Sequence, residues 1–121
     1  MLEKSKSIRP FIGAKNFEIS RNFYLDLGFQ ENRITQNMSY FFINQLGFYL
    51  QNAYVEDWIN NSMIFMEVEN LKSFWVELIC KNITEKYPTA KLVPIIELDW
   101  GAECFVHDPS GILWHFGEFK K

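Results

Sequence analysis

The sequence predicts an α+β protein: two βαβββ modules in tandem that build a curved mixed sheet. Three observations carry this. Apolar residues alternate with a period of two in several short runs and recur at three- to four-residue spacing in two others. Each of the latter follows an Asn suited to cap a helix, Asn16 and Asn70. The order strand, helix, three strands then comes round twice, with a polar stretch at 52–61 between the rounds.

In chain order, Ile8 to Ala14 is a short apolar segment broken by Pro10, which suits an edge strand. From Phe17 to Leu27, Ile19, Phe23 and Leu27 give a helix one apolar face; Gly28 closes it and Phe29 packs back. Phe29–Ile34 and Met38–Ile43 read as strands, and Phe48–Gln51 returns after the turn Asn44-Gln45-Leu46-Gly47. Residues 52–61 read as a linker bearing Tyr54 and Trp58. Met63–Val68 is a strand. Leu71, Phe74, Trp75, Leu78 and Ile79 then form the strongest helical stripe, which Asn82 can end. A loop around Tyr87-Pro88 leads to a strand at Leu92–Leu98.

The chain closes on Trp100-Gly101-Ala102-Glu103-Cys104-Phe105-Val106-His107-Asp108-Pro109-Ser110-Gly111-Ile112-Leu113-Trp114-His115-Phe116. Asp-Pro-Ser-Gly suits a type I turn, so this segment is a β-hairpin carrying both histidines. Asn44–Gln51 overlays Asp108–His115 without a gap, and an internal duplication accounts for the match. The modules run from about 7 to 52 and from about 62 to 118, within one domain of 121 residues.

Composition narrows the function. A hydrophobic fraction of 48% excludes disorder, and twelve Phe exceed what a core of this size needs, so some should line a concave site or an interface. The net charge of −3, without a basic run, speaks against nucleic acid. Cys80 and Cys104 have neither metal nor disulfide spacing and read as two buried thiols. No apolar run is long enough to span a membrane and the first residues hold no signal sequence, so a soluble, cytoplasmic protein is expected.

Strand alternation places Ile112, Trp114 and Phe116 on one face and Leu113, His115 and Gly117 on the other. Phe48 and Leu50 likewise oppose Tyr49 and Gln51. The large apolar sets should meet the helices. Tyr49, Gln51, Leu113 and His115 are then left on a concave face suited to a small molecule.

Phe23-Tyr24-Leu25-Asp26-Leu27-Gly28-Phe29 after an Asn cap, together with Asp108-Pro109-Ser110-Gly111, resembles the vicinal-oxygen-chelate superfamily over nearly the whole chain. That superfamily includes glyoxalase I, ring-cleaving dioxygenases and bleomycin resistance proteins. The tail from Trp100 through His115-Phe116 is most similar to the last of these. The resemblance implies the glyoxalase/bleomycin-resistance-type fold and a homodimer whose chains share ligand grooves. In its metal enzymes one ligand follows the Gly of each hairpin by four residues, and another precedes each helix cap by about seven. Those positions are Gln51, His115, Arg9 and Met63 (or Ser62). Arg cannot ligate, Met is soft and Gln is neutral, so neither metal nor other cofactor is expected.

The resemblance therefore implies a non-catalytic binder sequestering a bleomycin-type antibiotic. A metal-dependent lyase, transferase or dioxygenase with an altered ligand set is the alternative. The expected ligand-binding residues are Tyr40, Tyr49, Gln51, Phe65, Trp100, Leu113 and His115, with none catalytic. His107 is expected to decorate the turn, Trp75 to lie in the core, and Trp58 to cover either the groove or a dimer seam. Glu31, Glu56, Asp57, Asp99 and Glu103 could together draw in a cationic glycopeptide.

Overall fold

A computed structural model describes residues 1–121. After a single 3-10 turn at Leu2–Lys4, the order is β1 (Phe11–Gly13), α1 (Phe17–Leu27), β2 (Gln30–Thr35), β3 (Met38–Ile43) and β4 (Leu46–Gln51). The linker α2 (Glu56–Asn60) precedes β5 (Met63–Glu67), α3 (Leu71–Cys80), α4 (Ile83–Lys86), β6 (Lys91–Leu98), β7 (Gly101–His107) and β8 (Leu113–Phe119). The strands form two four-stranded sheets, ordered β1-β4-β3-β2 and β5-β8-β7-β6, so within one chain the mixed sheet is built as two halves. Each half pairs its first strand in parallel with its last and is otherwise antiparallel.

The helix ends follow the local chemistry. Asn16 Oδ1 accepts from the amide of Ile19, and Asn70 Oδ1 from that of Ser73, each at 3.1 Å. Gly28 takes φ 112°, which a β-carbon would resist, and the Phe29 amide reaches back to the Tyr24 carbonyl at 3.1 Å. That closure drives Phe29 into the core.

Phe17, Ser20, Phe23 and Tyr24 are the buried residues of α1, whereas Ile19 is exposed. The apolar face therefore lies about one residue round from the one that Ile19 marked. On α3, Leu71 and Leu78 are buried and Trp75 is half-buried against the core, but Ile79 is exposed, which leaves a narrower stripe. Cys80 ends this helix exposed and is not a buried thiol; Cys104 is fully buried.

The 52–61 stretch is more ordered than a linker: α2 tucks Ile59 into the core and leaves Trp58 71% exposed. The loop expected before Pro88 likewise contains α4, whose Ile83 is buried. Asn82 enters it in the left-handed region at φ 53°.

One apolar cluster continues across both modules. Phe48 meets Trp114 at 5.3 Å between ring centroids, and Tyr24 touches Phe41, Phe48 and Trp114. A polar knot lies inside this contact. Asp108 Oδ1 accepts from the amides of Ser110, Gly111 and Ile112 at 2.8–2.9 Å. Oδ2 accepts from the Tyr24 hydroxyl at 2.5 Å, and that hydroxyl accepts from Trp114 Nε1 at 3.0 Å. Burial pushes the Asp108 carboxyl above its usual range against the pull of these donors. Burial, with Asp108 beside it, also pushes the Tyr24 hydroxyl up. The Asp-Pro-Ser-Gly turn thus fastens the second module's hairpin to the first module's helix.

A candidate ligand-binding site on the outer sheet faces

With the inner faces committed to this core, every second residue of β1, β3, β4, β5, β7 and β8 points outward. Ladder register aligns these residues in rows across each sheet. In the first, Phe11 pairs with Tyr49, Tyr49 with Tyr40, and Tyr40 with Asn32. In the second, Phe65 pairs with His115, His115 with Phe105, and Phe105 with Val93. Phe11 and Phe65 each stand five residues before their module's Asn cap, so the two rows are equivalent.

That equivalence corrects the gapless overlay of the hairpins. The counterpart of His115 is Tyr49, and Gln51, which pairs with Gly13, corresponds to Gly117, which pairs with Glu67. Two features cause the shift. The first turn closes between Ile43 and Leu46 around Asn44 at φ 53°, whereas the second spans the longer gap between His107 and Leu113. Gly111, at φ 110°, belongs to its turn, while Gly47 already lies in β4.

On the first sheet Arg9 donates to the Tyr49 hydroxyl at 2.9 Å and lies over the Tyr40 ring, 4.2 Å from its centroid. Phe11 stacks on Tyr49 at 4.8 Å and Phe42 on Tyr40 at 5.4 Å. Gln51 ends β4, in a small pocket of about 140 Å³ shared with Phe11 and Trp58. Trp58 therefore flanks the face at its β1 edge.

On the second sheet Phe65, Trp100 and Phe119 form a partly exposed three-ring cluster with centroids 5.2–6.0 Å apart. Gly117 makes room for it, since a β-carbon there would sit 2.6 Å from the Phe65 ring and 3.3 Å from that of Trp100. His115 Nδ1 meets Glu103 Oε1 at 2.9 Å, and the imidazole stands edge-to-face on Phe105 at 4.9 Å. Leu113 is half-buried beside it on the same face. His107 begins the turn, where burial and then the Lys91 ammonium hold it below its usual range.

The expected site residues thus fall into two groups. Tyr40, Tyr49 and Gln51 lie on one sheet; Phe65, Trp100, Leu113 and His115 lie on the other. No hydrogen bond or ring contact joins the groups within the chain. Arg9, Phe11, Phe105 and Phe119 share these faces but were absent from the expected set. Of the acids, Glu31 is engaged by Arg21 and Ser39, and Glu103 by His115, so neither is a free surface charge.

In the observed register, the positions that the resemblance assigns to metal ligands differ at one place from those counted along the sequence. They hold Arg9, Tyr49, Met63 and His115, and no three His, Cys, Asp or Glu side chains gather elsewhere. One imidazole among a guanidinium, a phenol and a thioether does not fit a divalent cation held by the protein alone.

A cleft of about 590 Å³ lies elsewhere, between the first hairpin and β5, and of the expected residues only Phe65 lines it. It borders the module junction and meets the second row only at Phe65. No helix is long and apolar enough to cross a membrane.

The fold is shared with solved structures. A bleomycin resistance determinant encoded on the transposon Tn5 superposes with a TM-score of 0.81 at 16% identity, covering 97% of this chain and 100% of that one. The chain has the glyoxalase/bleomycin-resistance fold. The fold also appears in a bleomycin-binding protein from Streptomyces verticillus complexed with copper(II)-bleomycin, with a TM-score of 0.78, 18% identity, and 94% and 96% of the two chains covered. A lactoylglutathione lyase from Agrobacterium tumefaciens matches at 0.71 with 11% identity and 96% of each chain. The fold thus houses both binders and enzymes. The sequence itself matches no protein-family model and no curated protein.

Proposed function

We propose that this chain is a non-catalytic binding protein that sequesters a bleomycin-type glycopeptide antibiotic. The observation that carries the reading is the pair of equivalent aromatic rows, Phe11-Tyr49-Tyr40 and Phe65-His115-Phe105, on the outer faces where a ligand-binding surface was expected. Partly exposed rings in register offer flat apolar area for a planar group, and Arg9 and Tyr49 add donors to orient it. The positions that hold metal in related enzymes lack a workable donor set, which favours binding over catalysis.

In this reading two copies meet so that the first-sheet face of one and the second-sheet face of the other wall a groove, with Gln51 and Leu113 at its margins. Sedimentation velocity should then show a dimer at micromolar concentration. The deciding experiment is a titration of purified protein with bleomycin, followed by tryptophan fluorescence and calorimetry. Saturable binding at micromolar drug, weakened at least tenfold by Trp100→Ala, is expected. An unchanged spectrum and no heat overturn the reading.

A further inference from the structure

We infer that His115 is a coordinating residue: its Nε2 completes the coordination of a metal ion that arrives already chelated within the ligand, so the protein prefers the metal-loaded form. The inference rests on the binding reading above.

The geometry assigns the imidazole's two nitrogens separate tasks. Nδ1 faces Glu103 Oε1 at 2.9 Å, and a carboxylate accepts, so in neutral imidazole the proton sits on Nδ1 and Nε2 carries the lone pair. A carboxylate behind a histidine is also the arrangement that orients and strengthens a metal-ligating imidazole. Nε2 has no hydrogen-bond partner, and no buried side-chain nitrogen in the chain lacks one, so Nε2 opens to solvent. The Phe105 edge contact, at a 72° interplanar angle, fixes the ring plane, and Phe65 flanks it across the ladder.

The surroundings exclude a resident ion. Protein-held divalent cations need three or four ligands, and no such cluster exists here. One oriented imidazole on an exposed aromatic face can serve an ion whose other positions a chelator already fills. The step is an exchange: the Nε2 lone pair replaces a water on the metal, and no electron or proton is transferred. His107 does not share this setting, because it sits at the turn beside Lys91 with no carboxylate bonded to its ring.

The test compares metal-free bleomycin with copper(II)-bleomycin by calorimetry in wild type, His115→Phe and His107→Ala. Wild type and His107→Ala should bind the copper form at least tenfold more tightly. His115→Phe, which keeps a ring in the row, should bind the two forms equally, whatever its effect on metal-free affinity. In protein with ¹⁵N-labelled histidine, the copper electron paramagnetic resonance spectrum should show one protein nitrogen. Equal affinities in wild type, or a preference that survives His115→Phe, overturn the inference.

If neither bleomycin form binds, the proposed function falls and copper(II)-iminodiacetate becomes the probe. Binding weakened at least tenfold by His115→Phe then supports the coordinating role, whereas equal binding by the two proteins ends it.

Discussion

Replacing Tyr24 with Phe removes one oxygen from the junction of the two modules, and the cost can be worked from its contacts. The hydroxyl donates to Asp108 at 2.5 Å and accepts from Trp114 Nε1 at 3.0 Å. Asp108 and Trp114 are 0% and 1% exposed, so water cannot replace it. Losing a hydrogen bond to a charged group costs about 1.5–3 kcal/mol, and a stranded indole N–H about 1–3 kcal/mol more. Allowing for partial relaxation, Tyr24→Phe should cost about 3–5 kcal/mol, a large share of a typical domain's stability of about 5–15 kcal/mol. Urea unfolding at pH 7 should show this as a lower midpoint at constant slope.

The pH dependence supplies a second sign. Burial already raises Asp108, and losing the Tyr24 donor raises it further. Between the unfolded value, about 3.9, and the raised native value, the native state binds more protons, so this group's contribution falls as pH rises. The variant's deficit should therefore shrink on acidification. A loss below about 1 kcal/mol at pH 7, or a deficit that grows in acid, would refute the polar knot as the fastening between modules.

Glu31 makes the opposite forecast. Arg21 grips it twice at 2.6 Å and, ahead of the Ser39 hydroxyl, holds its carboxyl below the usual range. Its contribution is present above the unfolded value and lost as pH falls through the lowered native one. Glu31→Gln should therefore cost about 1–2 kcal/mol at pH 7, discounted for partial exposure, and nothing in strong acid, as urea midpoints across pH will show. Gly117→Ala puts a β-carbon against the far ends of the Phe65 and Trp100 rings, which can swing away. Stability should change by less than about 1 kcal/mol while bleomycin affinity drops several-fold; unchanged affinity would detach this ring cluster from binding. Ellman's reagent should titrate one thiol, Cys80, in the native protein, because Cys104 is fully buried and its thiol is pushed up to about 11. A second thiol should appear only on unfolding.

Much of the fold was legible because its signals are local. An Asn cap, a Gly closure and a run of spaced apolar residues each act within a few residues, and α1 was read at its observed boundaries. What escaped depends on contacts made elsewhere. Ile19 and Ile79 have the right spacing for their helices but face solvent, because the opposing surface is narrower than the stripe. In the polar stretch at 52–61 a single buried anchor, Ile59, suffices to fix a short helix, and one residue makes no period.

The site shows the same division. Period-two alternation assigns a face with certainty, so Tyr49, Gln51, Leu113 and His115 fell on the right side of their strands. It would also have found Phe105 and Phe119, two residues along from Glu103 and Gly117 on the same faces. It cannot assign register, because a shift of two residues leaves every side chain on its original face. Only the partner strands show that the first turn is tighter than the second and that Tyr49, rather than Gln51, stands where His115 does. The shift bears on function. A Gln opposite a His could still be imagined as a remnant of metal ligation. A Tyr that accepts from Arg9 and stacks on Phe11 belongs to an aromatic surface, and its counterpart His115 lies in a row of rings as well. Both modules therefore present the same kind of wall, with Tyr49 and His115 at equivalent places in it.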